Sequence, residues 1–155
     1  MPTKKKLQSD QDTKVFEFGV REIQDLGFSI PIEPVMPANV HIGYGLSYSF
    51  KGEENTMAIT VSVRFASITN GEENEFLTTH VKTRFFIKDM AQYFKNDSYV
   101  FPGSTMESMF GIALSHTRAV LAKNIAGTEY SSYIIPLADP VALYQNIMKA
   151  NEESK

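Results

Sequence analysis

The sequence predicts an α+β fold in which a four-stranded antiparallel sheet is followed by a long and then a short C-terminal helix. Three observations carry this. Between Val40 and Ile87 apolar and polar residues alternate with a period of two, which sends successive side chains to opposite faces of a strand. After Ser104 the apolar residues recur every three or four positions, the period of a helix. Asp139 followed by Pro140 is a helix-start signal, an N-cap with proline at the first helical position.

The strands come first in the chain. Residues 15–32 alternate in two registers, Phe16, Phe18 and Val20, then Leu26, Phe28, Ile30 and Ile32. Residues 21–25 break the pattern between them, so a long first strand with a kink or bulge is expected. The proline-rich residues 31–37 make a rigid, non-helical connection into a meander. Its first strand sets Val40, Ile42, Tyr44, Leu46, Tyr48 and Phe50 against His41, Gly43, Gly45, Ser47 and Ser49. The next has Met57, Ile59, Val61, Val63 and Phe65 on one face and Thr60, Ser62 and Arg64 on the other. The last sets Leu77, Val81, Phe85 and Ile87 against Thr78, His80, Lys82 and Arg84. Residues 51–55 and 69–75, carrying Gly52 and Gly71, are the expected hairpin loops.

The helices follow. Residues 89–94 suit one helical turn, and residues 96–103 a loop. Ser104 and Glu107 have the spacing of a capping box, in which each side chain satisfies a backbone donor at a helix start. Met106, Met109, Phe110, Ala113, Leu114, Thr117, Val120 and Leu121 continue as one stripe, with the end near Ile125, cations Arg118 and Lys123 toward the C-terminus, and Gly127 as a left-handed stop. Residues 128–137 read as an extended crossing segment, and Leu143, Tyr144, Ile147 and Met148 as the stripe of the short helix.

Composition bounds the rest. A chain of 155 residues with 43% hydrophobic content suits one domain, expected over residues 14–150, with a polar disordered tail at 1–13 and a solvated end at 151–155. A net charge of −3 argues against nucleic acid as partner, and Lys4, Lys5 and Lys6 beside Asp10 and Asp12 read as a solubilising end. The absence of cysteine excludes disulfides and thiolate metal sites. No apolar run approaches the ~20 residues that span a bilayer, so no membrane insertion is expected, and the cytoplasm is the expected location.

Catalytic chemistry has no foothold in the pattern. His41, His80 and His116 fall on different elements without carboxylates at ligand spacing, and His116 reads with Arg118 as the polar side of the long helix. Ser115, Ser131 and Ser132 lack a nucleophile elbow, and Gly43, Gly45 and Gly103 lack a phosphate-loop setting. No enzyme activity, metal or cofactor is expected. Eleven Phe and seven Tyr are more suggestive, because Tyr44, Tyr48, Tyr130, Tyr133 and Tyr144 can bury a ring and keep the hydroxyl wet. They serve equally to wrap a small core or to line a groove.

The order of elements, together with Phe76-Leu77 leading through Val81 to Phe85-Phe86-Ile87 and the run Pro136-Leu137-Ala138-Asp139-Pro140-Val141-Ala142-Leu143-Tyr144, resembles the SecB export chaperones over about residues 15–148. The resemblance implies a holdase that works without ATP, unfolded polypeptide clients and a homo-oligomer, a dimer of dimers. It also implies a client groove at Val40, Ile42 and Tyr44 on a strand and Leu143 and Ile147 on the last helix. Three departures stand out. There is no cysteine-containing zinc tail, residues 126–132 form an extra loop, and the outward positions Thr60, Ser62, Arg64, His80, Lys82 and Arg84 are not the acidic set that meets the SecA motor. Contact with SecA is therefore not expected.

Three alternatives remain open at this stage: a client-specific chaperone, for example of an antitoxin; a small-ligand domain of hot-dog type; and a structural assembly subunit. Element order separates the second, since a hot-dog helix is inserted early. The five groove positions read equally well as core.

Overall fold

A computed structural model of the chain describes residues 15–35 and 37–155. The expected tail over residues 1–13 lies outside the described residues. Four long strands, β1 (Phe18–Ser29), β2 (Val40–Lys51), β3 (Thr56–Thr69) and β4 (Glu72–Ile87), form an antiparallel sheet in the order β1-β4-β3-β2. A two-residue pair, β5 (Phe94–Lys95) and β6 (Ser98–Tyr99), follows, then α1 (Thr105–Ile125) and α2 (Pro140–Glu153). The helices follow all four strands, which is not the hot-dog order.

The alternation in β3 and β4 builds one apolar face. Met57, Ile59, Val61, Val63 and Phe65 on β3 and Leu77, Val81, Phe85 and Ile87 on β4 are all buried. Thr79 and Thr83 lie on the same face. Against it α1 presses Met109, Phe110, Ala113, Leu114, Leu121 and Ile125, leaving Ser115, Ala119 and Ala122 on its open side. At the β3–β4 register break Phe65 pairs with Leu77 and Ala66 with Glu75, so Phe76 is the extra residue. Phe76 and Leu77 therefore both enter the core, and the Phe76 ring meets Tyr130 and Tyr133 at 5.9 and 5.3 Å.

The kinked first strand is present as two irregularities. Register slips between Val20 and Glu22 and between Asp25 and Gly27 leave Arg21 and Leu26 as the extra residues, and the strand ends at Ser29 rather than Ile32.

Several local expectations need correction. The loop expected over residues 69–75 is a two-residue Asn70-Gly71 turn with φ of 54° and 81°, the geometry that suits the right-handed twist of a hairpin. Ser104 is the N-cap of α1, but its side chain makes no capping bond; Thr105 Oγ1 donates instead to the Pro102 carbonyl at 2.5 Å. Residues 96–103 are not all loop, since β6 pairs with β5. Within residues 128–137, Thr128 to Ser132 form turns before the chain extends. The second helix is longer than expected, running to Glu153 and absorbing part of the expected solvated end. The Asp139 cap does form, its Oδ1 accepting from Val141 N at 3.0 Å, and Gly127 takes the left-handed φ of 75°.

Candidate functional site

Strand β2 is a sheet edge whose apolar face is only partly covered. Its even residues share the face of the β3 core residues, because Ile42 pairs with Phe65, Tyr44 with Val63 and Leu46 with Val61. Unlike those partners they are not sealed. Ile42, Tyr44 and Leu46 are half-buried, and Val40 and Tyr48 are 37% and 44% exposed. The face borders two elements that come after α1.

The first is the extended stretch after Tyr130. Arg118 on α1 donates through Nη2 to the Pro136 carbonyl at 2.8 Å and through Nε to the Ile135 carbonyl at 3.3 Å, which ties the stretch to the helix. Arg118 therefore holds a crossing segment, not only the helix dipole as its position suggested. Its charge also bears on Tyr44, whose phenol is pushed up by burial and drawn partly back by the guanidinium. Ile135 is buried, while Ile134 and Leu137 stand 66% and 91% exposed. Tyr130 Oη accepts from Val35 N at 3.0 Å, which fastens the crossover after β1 to the same region.

The second element is α2, which packs along α1 and also reaches β2. The two helices approach closely because Gly111 has no side chain: a Cβ there would lie 3.2 Å from Pro140. Tyr144 lies against Phe110 with ring centroids 5.7 Å apart, and its phenol is pushed up first by burial and then by Tyr48 and Glu107. Tyr48, Phe50, Phe94, Tyr99, Met106 and Tyr144 line a cavity of about 330 Å³ where the far end of β2 meets the β5–β6 hairpin.

The five residues expected to form a groove are thus distributed. Val40, Ile42 and Tyr44 occupy the first half of β2, with Tyr44 near Arg118. Leu143 is half-buried on α2, and Ile147 is 7% exposed and part of the core cluster. Alternation pointed to Tyr48 and Phe50, but Phe94 and Tyr99 carry no period that would have placed them beside β2.

The opposite face of the sheet carries the outward residues read from the alternation. Ser62 Oγ and His80 Nδ1 share a hydrogen bond of 2.8 Å. Arg84 meets Glu22 at 3.1 Å, and Arg64 meets Glu73 at 3.6 Å. The basic look of this face is therefore offset by carboxylates from β1 and the start of β4. His116 also corrects its expected place: it is half-buried and shares a 3.0 Å hydrogen bond with Thr83 Oγ1 on the sheet, rather than lying on the polar side of α1. Burial lowers its pKa. Among the described residues no three His, Cys, Asp or Glu side chains come together in a metal-binding group, and no helix is long and apolar enough to cross a membrane.

No protein-family model matches the chain, and no curated protein does. Among the solved structures that align with the chain are two. One, a protein of unknown function from Streptococcus agalactiae, aligns at 10% identity and a TM-score of 0.40 over 80% of this chain and 98% of its own. The other is the Rv1957 SecB-like chaperone of Mycobacterium tuberculosis, solved with a ChAD peptide from the Rv1956 HigA1 antitoxin. It aligns at 9% identity and a TM-score of 0.51 over 78% of this chain and 90% of its own. The four-stranded antiparallel sheet followed by two helices is a SecB-like fold.

Proposed function

We propose that this chain is a holdase that binds unfolded or aggregation-prone polypeptides without ATP. The observation that carries the reading is the half-covered apolar face of β2, with Ile134 and Leu137 exposed beside the Arg118 anchor. Burying such surface against a client gains ~25 cal/mol per Å² and asks for no particular sequence. Val40, Ile42 and Tyr44 would supply the strand side of the groove and Leu143 and Ile147 the helix side, extended by the aromatic cavity around Tyr48 and Tyr144. The SecB-like fold supports this assignment. The role is binding rather than catalysis, with no cofactor required.

The test is suppression of aggregation of a chemically denatured protein as it is diluted from guanidinium, with no nucleotide present. Suppression at stoichiometric chaperone is expected, and none at tenfold excess would refute the reading.

The SecB-like neighbour's complex with an antitoxin peptide favours a narrower variant, a chaperone serving one client. Two unrelated denatured proteins separate the variants, since a client-specific chaperone would leave both to aggregate. We further propose a homo-oligomer, a dimer of dimers. Exposed Val20, Ile23 and Leu26 along β1 and the small side chains on the open face of α1 support it. A monodisperse monomer in light scattering at micromolar concentration would contradict it.

A further inference from the structure

The cavity beside the β5–β6 hairpin has a shaped aromatic wall. Phe50 and Tyr99 lie 4.8 Å apart at 34°, Phe94 and Tyr99 5.0 Å apart at 57°, and Tyr48 and Phe50 5.6 Å apart at 67°. Rings inclined to one another in this way make a concave surface, and Tyr144 borders it from α2. Phe101, which does not border the cavity, packs against two of these rings, 6.1 Å from Phe50 and 6.3 Å from Tyr99. The hairpin that carries Phe94 and Tyr99 is fixed as well. Val100 N donates to the Tyr93 carbonyl at 2.9 Å, and Tyr99 Oη sits against Gly52, where a Cβ would overlap it. The wall is therefore set in advance, and a ligand has little left to order.

The charge around this wall has one sign. Asp97, at the turn of the hairpin, borders the cavity. Glu107, in the first turn of α1, adds to the rise that burial and Tyr48 give the Tyr144 phenol, which puts a second carboxylate close by. Among the described residues neither carboxylate meets a cation. Lys51 and Lys95, on the elements that carry Phe50 and Phe94, do not border the cavity, and Lys51 is held by Glu54 at 3.4 Å. An aromatic face is itself negative, so the rings and the two carboxylates together favour a positive occupant.

We propose that this cavity is a site for a small organic cation of the quaternary ammonium class. A primary ammonium brings three N–H donors and a guanidinium five, and each needs an acceptor. Here Asp97 and Ser98 belong to the hairpin turn, and apart from the tyrosine hydroxyls the wall is ring carbon and the Met106 side chain. A quaternary ammonium has no donor to leave unpaired. It spreads its charge over methyl groups that pack on ring faces. At about 330 Å³ the cavity lies at the small end of ligand pockets, which suits such a head group with a short substituent. The site does not depend on the holdase reading, since a small cation can occupy it with no polypeptide bound.

The experiment titrates the full chain by calorimetry with three probes: choline; its carbon isostere, which keeps the shape and loses the charge; and ethanolamine, which keeps the charge and loses the methyl groups. Choline should bind with a Kd on the order of 1 mM, and the other two about tenfold more weakly. Asp97→Asn keeps a residue that tolerates the φ of 61° at that turn and should weaken choline about threefold. Tyr48→Leu removes an exposed ring and should weaken it about tenfold. Both variants should melt close to the parent. Equal binding of choline and its isostere would make the cavity a plain apolar pocket and overturn the proposal. No choline binding at about 50 mM, or binding unchanged in both variants, would overturn it too. Phosphatidylcholine vesicles separate two sources of the group: sedimentation of the chain with them, reversed by choline, identifies a lipid head group, and binding of choline alone a free cation.

Discussion

Truncating Ile42 together with Leu143 separates a groove from a core. Ile59, one strand inward and fully buried, is the comparison. Ile59→Ala leaves a sealed cavity and should cost ~2–5 kcal/mol. In a domain of this size that lowers the melting temperature by roughly 4–20 °C, at 2–4 °C per kcal/mol. Ile42 and Leu143 are half-buried beside open surface, so only part of the transfer term is lost and no sealed void forms. About half of the ~0.8 kcal/mol per methylene, over three carbons, gives ~1 kcal/mol for each. The two losses together come to ~2 kcal/mol, so the double variant should melt roughly 4–8 °C below the parent, where two core truncations would lower it by roughly 8–40 °C, yet it should hold clients about tenfold less well, because both side chains are lost from the contact surface. Melting by circular dichroism and suppression of aggregation, both measured well below the transition, report the two effects. If the double variant melts about twice as far down as Ile59→Ala while its folded fraction still holds clients normally, Ile42 and Leu143 are core.

Other consequences are as direct. Burial lowers the His116 pKa, so as pH falls the unfolded chain takes up a proton before the folded one; stability should be full above the unfolded value of about 6.5 and decline below it. His116→Asn should flatten that decline in melting curves between pH 7 and 5. Arg118→Lys gives up the two-point grip on the Ile135 and Pro136 carbonyls; limited proteolysis should then cut near residues 133–138 faster, with a stability loss of about 1 kcal/mol because the guanidinium is partly exposed. Gly71→Ala puts a side chain at a φ of 81° and should destabilise by about 1 kcal/mol in denaturant melts without altering client binding.

The sheet was legible because one face of β3 and β4 is sealed. A period of two survives wherever a one-residue slip would expose a core side chain, and Ile59, Val61 and Phe85 sit where no slip is tolerated. The errors lie where short-range chemistry competes. Ser104 has the capping-box spacing, yet Thr105 bonds the Pro102 carbonyl and the Ser104 side chain goes unused. Asn70-Gly71 was hidden inside a charged stretch, although that dipeptide is itself the hairpin signal. His116 was misplaced because a helix position next to Arg118 looks polar until Thr83 is found across from it, 33 residues away in sequence.

The candidate site was less legible for a different physical reason. Alternation reports which side chains share a face, and Val40 to Phe50 alternate as regularly as the sealed strand beside them. What distinguishes β2 is strand order: it lies at the end of β1-β4-β3-β2, with no strand beyond it among the described residues. An edge position leaves alternation unchanged but halves the cover over each apolar side chain and frees every second peptide group. The lack of charge and proline between Val40 and Phe50 hides that position in the sequence. Read alone it suits a central strand; on an edge it leaves Ile42, Tyr44 and Leu46 without the protection a solitary protein would need, unless something else completes the sheet.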